Sequence, residues 1–118
     1  MPRDFRLYLD DILEAVTWIR EYTTGLDQNG LAGDRKTLDA VVRNLEIIGE
    51  AARNLPDEWK GGAFGIEWRK IVALRNLLTH KYFGISIPIV WDIVQNKLGP
   101  LEEACKKILN GLEGRNSQ

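Results

Sequence analysis

Apolar residues recur along this chain at spacings of three and four, which is the period of an amphipathic α-helix. The first such segment ends at Gly25, and its apolar stripe consists of Phe5, Leu9, Ile12, Val16 and Ile19. The second segment ends at Pro56, and its stripe consists of Leu38, Val41, Leu45, Ile48, Ala52 and Leu55. The two stripes predict long helices over about 4–24 and 35–55.

Two further helices are predicted in the second half of the chain, over about 66–82 and 87–113. The stripe of the third helix is short and consists of Ile71, Leu74 and Leu78. The stripe of the fourth helix consists of Ile87, Val90 or Trp91, Val94, Leu98, Leu101, Cys105, Ile108 and Leu112. It keeps its phase across Gly99 and Pro100, although proline removes one backbone hydrogen bond. We therefore expect one kinked helix or two nearly collinear ones.

The segments between these stripes contain most of the glycine and few apolar residues. Residues 23–34 predict a polar connector, and residues 57–65 predict a loop rather than an element. No segment alternates apolar and polar residues with the period of a strand. The sequence thus predicts an all-α fold, a four-helix bundle formed by one domain over residues 1–118.

Composition and charge narrow the class of protein. The chain is 44% hydrophobic and 28% charged, with a formal net charge of -1, so the whole molecule does not attract polyanions. Between Lys60 and Lys81, however, five basic residues and one acidic residue give a local charge of +4. No apolar run reaches the ~20 residues that a membrane span needs, and the N-terminus lacks an apolar signal region, so a cytoplasmic location is expected. The single cysteine, Cys105, excludes an internal disulfide and is expected to be a buried hydrophobe.

The candidate chemistry lies in the segment Arg75–Tyr82, whose sequence is Arg-Asn-Leu-Leu-Thr-His-Lys-Tyr. His80 is the only histidine of the chain, and histidine can take and give a proton near neutral pH. Arg75 adds a permanent cation with forked donors, which suits a phosphate. Taken alone, a single histidine near a helix end is more often structural, and an arginine there more often forms a salt bridge.

Helix geometry limits how Arg75 and His80 can act on the same phosphate. On an ideal helix, Arg75 and His80 point roughly 140° apart, whereas Asn76 and His80 share a face. The helix could fray before the exit segment 81–84, Arg75 could reach around on its long side chain, or a second copy of the chain could complete the site. Glu50 lies one step off the core stripe of the second helix, and it either pairs with an arginine of the motif helix or is exposed.

The motif resembles the Arg-x4-His-x-Tyr motif of the HEPN superfamily, in particular of the HepT-like toxins that are encoded beside a minimal nucleotidyltransferase. The segments Asn44–Ala52 and Ile89–Val94 also resemble that family, so the similarity covers nearly the whole chain. It implies an antiparallel HEPN bundle with a kinked C-terminal helix.

The resemblance further implies a metal-independent endoribonuclease, the toxin of a toxin–antitoxin system, with Arg75 and His80 as catalytic residues. Asn76 and Glu50 would support them, and Tyr82 would be the tyrosine that the partner nucleotidyltransferase modifies with adenylyl groups (AMPylation). For contacts with RNA we expect Arg69, Lys70 and Lys81, because they supply the local positive charge. No cofactor and no metal are expected, since the chain lacks a carboxylate cluster or several histidines.

Two other functions are compatible with the sequence. One is a non-catalytic subunit that binds a nucleotidyltransferase and is its modification substrate, and the other is a plain nucleotide-binding module. The latter is disfavoured because no glycine-rich phosphate loop is present. The expected partners are RNA, the cognate nucleotidyltransferase and a second copy of the chain, since the divergent directions of Arg75 and His80 favour a homodimer with a basic cleft. Base stacking on the four tryptophans is disfavoured, because Trp68 and Trp91 fall on or beside core stripes.

Overall fold

The fold is known from a computed structural model, which describes residues 4–61, 65–79 and 86–116, and only the helical backbone of 76–79 and 113–116. Every regular element in these ranges is helical, and no strand occurs among the described residues, as the hydrophobic pattern predicts. The helices are α1 (Arg6–Thr23), α2 (Gln28–Ala32), α3 (Arg35–Arg53), α4 (Asp57–Lys60), α5 (Trp68–Thr79), α6 (Ile87–Asp92) and α7 (Leu98–Asn116). A π-helical turn, Ile93–Lys97, joins α6 to α7.

The apolar stripes of α1 and α3 form the centre of the core. Leu9, Ile12, Val16 and Ile19 are fully buried, as are Val41, Leu45, Ile48 and Ala52. Phe5 is the exception among the predicted stripe residues: it precedes the helix and is 44% exposed, with its ring edge-on against Trp59. Burial of such side chains contributes ~1.5–3 kcal/mol each, which favours the long helices.

Helix α3 lies at the centre of the bundle. It packs against α1 on one side and α5 on the other, while α7 packs against α1. An ion pair between Arg20 and Glu102, 2.7 Å apart, joins α1 to α7 at the surface. This arrangement holds the motif helix α5 against α3 and separates it from α1.

The two segments predicted to be a connector and a loop each contain a short helix, so those predictions were wrong in part. Helix α2 begins where the Asp27 side chain accepts a hydrogen bond from the Gly30 amide, and Leu31 anchors it in the core with no exposed surface. Helix α4 follows Pro56 and packs Trp59 against the core. A helix this short has one anchor residue and no repeating stripe, so periodicity does not reveal it.

The C-terminal helix is continuous from Ile87 to Asn116. Its irregular segment is the π-helical turn, which lies one turn before Gly99 and Pro100, where a kink was expected. The Leu98 amide donates to the Ile93 carbonyl, which is the wide spacing of a π-helix. Pro100 has no amide to donate to the Asn96 carbonyl, and its ring crowds that carbonyl, so the preceding turn widens. The stripe keeps its phase: Val90, Val94, Leu98, Leu101 and Cys105 are all buried.

Two predictions about single buried residues are confirmed. Trp68 is 8% exposed at the start of α5, so its ring belongs to the core. Cys105 has no exposed surface, and this burial raises the pKa of its thiol to about 12. Within the described residues, no helix is both long enough and apolar enough to cross a membrane.

Candidate functional site

The residues predicted to act together begin on α5. Arg69, Lys70, Arg75 and Asn76 lie within this helix. The predictions for His80, Lys81 and Tyr82 concern positions outside the described residues, and so does the prediction for the side chain of Asn76. The geometry that the structure adds therefore concerns Arg75 and its surroundings on α3.

Arg75 forms an ion pair with Glu50, which connects α5 to α3. The Nε atom of Arg75 lies 2.8 Å from the Oε2 atom of Glu50. Of the two alternatives for Glu50, exposure or pairing with an arginine of the motif helix, the structure shows the pairing. The side chains are 43% and 49% exposed, so the pair adds only about 0–1 kcal/mol to the free energy of unfolding. Its main effect is to fix the direction of the guanidinium.

Gly49 determines how close the backbone of Arg75 comes to α3. A Cβ atom on Gly49 would lie 2.7 Å from the backbone nitrogen of Arg75 and 3.2 Å from its Cβ. Real Cβ atoms do not approach a backbone nitrogen to that distance, so only glycine fits here. Two consecutive residues of α3 thus position Arg75: Gly49 admits its backbone, and Glu50 holds its side chain.

The other basic residues of α5 are in different environments. Arg69 is exposed to solvent. Lys70 is also exposed, and its Nζ lies 3.0 Å from a carboxylate oxygen of Glu67. The positive charge that the sequence predicts on this helix is therefore at the surface, and part of it is already balanced by Glu67.

A groove of about 760 Å³ lies between α5 and the C-terminal helix. Ile71 and Leu74 line it from one side and Ile89 and Ile93 from the other, with Lys70 at the margin. Neither Arg75 nor Glu50 is among the lining residues, so the Arg75–Glu50 pair lies outside this groove.

Glu50 can be identified from the sequence as a partner of the motif helix, but the contact of Gly49 with Arg75 cannot. The signal available was the run of small residues Gly49, Ala51 and Ala52, which predicts the close approach of another helix without saying which residue approaches. Among the described residues, no group of three or more histidine, cysteine or carboxylate side chains lies close enough together to hold a metal ion.

Comparison with known proteins places this chain among sequences of one family. The sequence model described as "Ribonuclease HepT-like" matches residues 12–108. A protein of Thermococcus cleftensis named "Probable ribonuclease HepT" is 37% identical over 108 residues, which are 92% of this chain and 98% of that protein. No solved structure shows a significant match to the chain.

Further similar proteins occur in Methanocaldococcus jannaschii, and two of them cover nearly the whole of this chain. One, provisionally named as an RNase, is 39% identical over 115 residues, covering 97% of this chain and 95% of that protein. The other, named as a gamma-glutamylcyclotransferase and provisionally as an RNase, is 35% identical over 113 residues, which are 96% of this chain. The chain spans about half of the length of this second relative, 51%. The family match and these identities over nearly the whole chain show that it belongs to the HepT-like ribonuclease family.

Proposed function

We propose that this protein is a metal-independent endoribonuclease in which Arg75 and His80 carry the reaction. The observation that supports it most directly is the Arg75 guanidinium held by Glu50 at 2.8 Å, on the helix that leads toward His80. A cation fixed in direction before substrate binds needs no reorganisation when charge develops on a phosphate. The relatives named as ribonucleases support the same class of activity.

The proposed reaction uses the nucleophile that RNA itself carries. His80 takes the proton from a 2'-hydroxyl group, whose oxygen attacks the adjacent phosphorus while the bond to the 5'-oxygen breaks. The protonated His80 then gives this proton to the departing oxygen, so the products are a 2',3'-cyclic phosphate and a 5'-hydroxyl, and His80 is neutral again. Arg75 stabilises the negative charge on the phosphate oxygens. DNA has no 2'-hydroxyl and would not be cut.

The remaining predicted residues have supporting roles in this proposal. Glu50 orients Arg75, and Asn76 orients the imidazole or the substrate. Arg69, Lys70 and Lys81 contact phosphates on either side of the cleaved bond. The exposed position of Arg69 is consistent with such a contact, whereas Lys70 would have to exchange its partner Glu67 for the phosphate.

We propose that the activity is that of a toxin controlled through Tyr82. A cognate nucleotidyltransferase, the antitoxin, would add adenylyl groups to this tyrosine. Tyr82 is seven residues from Arg75 and two from His80 in the sequence. Nucleotide phosphate added there would compete with the substrate phosphate for the same cation and exclude it by charge and bulk.

The test is incubation of the purified protein with transfer RNA and with DNA in EDTA, beside the His80→Ala and Arg75→Ala variants. Intact mass first establishes that Tyr82 carries no modification. We expect the parent protein alone to cut RNA and leave 2',3'-cyclic ends, with DNA intact. Cutting that EDTA abolishes would contradict metal independence.

The alternative, a non-catalytic subunit that binds a nucleotidyltransferase and is its substrate, predicts a different result. In that case the unmodified parent protein cuts nothing, and His80→Ala leaves toxicity and partner binding unchanged. The ribonuclease proposal predicts that His80→Ala abolishes toxicity while binding of the nucleotidyltransferase persists. Measurement of both properties on one variant separates the two functions.

A further inference from the structure

Helix α1 exposes one face on which aromatic and acidic side chains occur together. Trp18 and Tyr22 are 42% and 39% exposed, and their rings stack with centroids 6.0 Å apart and planes at 20°. Leu7, 43% exposed, extends the apolar part of this face toward the N-terminus. We call this surface the α1 outer face; it consists of Leu7, Asp10, Glu14, Trp18, Glu21 and Tyr22.

The aromatic pair is held in place before any partner binds. The indole Nε1 of Trp18 donates a hydrogen bond to Glu14 Oε1 at 3.3 Å, one helical turn away, and Tyr22 stacks on the ring one turn further on. Side chains fixed in this way lose little conformational entropy on binding, which favours their use as anchors. Tryptophan and tyrosine are also the residues enriched at the energetic centres of protein interfaces.

The charge of the α1 outer face determines what it can bind. Among the described residues of α1, this face carries the carboxylates of Asp10, Glu14 and Glu21 and no lysine or arginine. The two arginines of α1 point to other partners: Arg6 bonds Asp4, and Arg20 bonds Glu102 on α7. The face therefore repels RNA, and it repels a second copy of itself across a two-fold axis, because the same acidic surface would meet itself.

We propose that the α1 outer face binds a protein partner through arginine side chains on that partner. A guanidinium is planar and can stack on the Trp18 and Tyr22 rings, while its forked N–H groups bond the carboxylates of Glu14 or Glu21. Lysine satisfies the charge but cannot stack in this way. Stacked aromatic rings surrounded by carboxylates are thus complementary to arginine in shape and in charge.

Such a partner would leave the candidate active site open. Helix α3 lies between α1 and α5, and the α1 outer face is turned away from α3. A protein bound there does not cover the Arg75–Glu50 pair. The α1 outer face would therefore recruit the protein or hold it in place, independently of what happens at Arg75.

The test measures binding of three synthetic probes to the full chain. The probes are alanine-based helical peptides with arginine, lysine or glutamate at positions one turn apart. The readouts are calorimetry and the indole N–H signal of Trp18 in NMR spectra, assigned from a Trp18→Phe variant. Trp18→Ala and Tyr22→Ala remove the anchors, and Ile89→Ala, at an apolar side chain 48% exposed on α6, is the matched control.

We expect the arginine peptide to shift the Trp18 indole signal and to bind more tightly than the lysine peptide. Binding should weaken roughly fivefold or more in Trp18→Ala and Tyr22→Ala and stay unchanged in Ile89→Ala. Circular dichroism should show the same helix content in all variants, since these side chains lie at the surface.

Four results would overturn the proposal. Equal affinity for the arginine and lysine peptides would mean that general charge attraction alone explains binding. Undiminished binding in Trp18→Ala would mean that the peptide binds to another surface of the protein. Self-association that Trp18→Ala abolishes would identify the occupant as a second copy of the chain. A Trp18 indole shift caused by an RNA oligonucleotide would make the face a nucleic-acid site.

Discussion

Arg75 is positioned by two neighbouring residues of α3 that act on different parts of it. Gly49 allows the backbone of Arg75 to approach, and Glu50 fixes the guanidinium. Because one contact is steric and the other electrostatic, substitutions at the two positions should have different effects on stability and on activity.

Gly49→Ala should destabilise the protein, although alanine is the better helix former. The gain in helix propensity is at most ~1 kcal/mol, whereas forcing a methyl group against the Arg75 backbone costs ~1–3 kcal/mol. We expect a lower free energy of unfolding by denaturant, together with weaker RNA cleavage. Gly111→Ala is the control: a Cβ there meets nothing within 4 Å, so that variant should gain ~0.5–1 kcal/mol. A Gly49→Ala protein as stable as the parent would contradict the contact.

Glu50→Gln should affect activity far more than stability. The pair with Arg75 is about half exposed, so its loss should lower the free energy of unfolding by less than ~1 kcal/mol. A freely rotating guanidinium is misplaced most of the time, which should reduce RNA cleavage by roughly tenfold or more. The matched control is Asp39→Asn, which breaks the exposed Arg35–Asp39 pair on the same helix at 3.2 Å. If both variants cleave RNA like the parent, Glu50 has no orienting role.

At the scale of elements, the long helices follow from the sequence and the short ones do not. The stripes of α1 and α3 each have five or six apolar residues at helical spacing, so their period is unambiguous. Helices α2 and α4 have five and four residues, each with one anchor, and their stability comes from the core that the long helices form. The π-helical turn was not anticipated, because Pro100 perturbs the turn before it rather than its own position.

Leu31 should be as important to the fold as a residue of a long helix. It is fully buried, and α2 packs against α3 and α6, so Leu31→Ala leaves a cavity and should cost ~2–5 kcal/mol. Leu7→Ala, at a leucine 43% exposed, should change the free energy of unfolding by less than ~0.5 kcal/mol. Urea denaturation of the two variants compares them directly. A small effect at Leu31 would mean that α2 forms separately from the core.

At the scale of the whole molecule, the sequence identifies the family and the candidate residues, whereas the contacts between helices that position these residues come from the structure. The Arg75–Glu50 pair could be anticipated because Glu50 borders the core stripe of its helix. The close approach of the Arg75 backbone to Gly49 could not be anticipated, because spacing within one helix does not determine which residue of another helix faces it. The relation of Arg75 to His80 remains a prediction from helix geometry.

Mixing two inactive variants tests whether two copies of the chain share the site. If Arg75 of one copy acts with His80 of the other, a mixed dimer of Arg75→Ala and His80→Ala chains retains one intact pair. Unfolding and refolding the two variants together should then restore about a quarter of the parent RNA cleavage, since random pairing makes half of the dimers mixed. Each variant refolded alone should stay inactive. If the mixture is also inactive, both residues act within one chain.

The backbone contact at Gly49 also fixes the register of the motif helix. Moving α5 along α3 by one helical turn in either direction would bring the Arg75 backbone toward Leu45 or Arg53, which lie four residues from Gly49 and whose side chains extend beyond the space that a glycine leaves. The backbone of α5 at Arg75 occupies the space that Gly49 leaves on the surface of α3. To leave this position, α5 has to move away from α3. Sliding of α5 along α3 is therefore disfavoured as a response to a bound partner, whereas a change in the side chains on the surface of α5 leaves the contact at Gly49 intact.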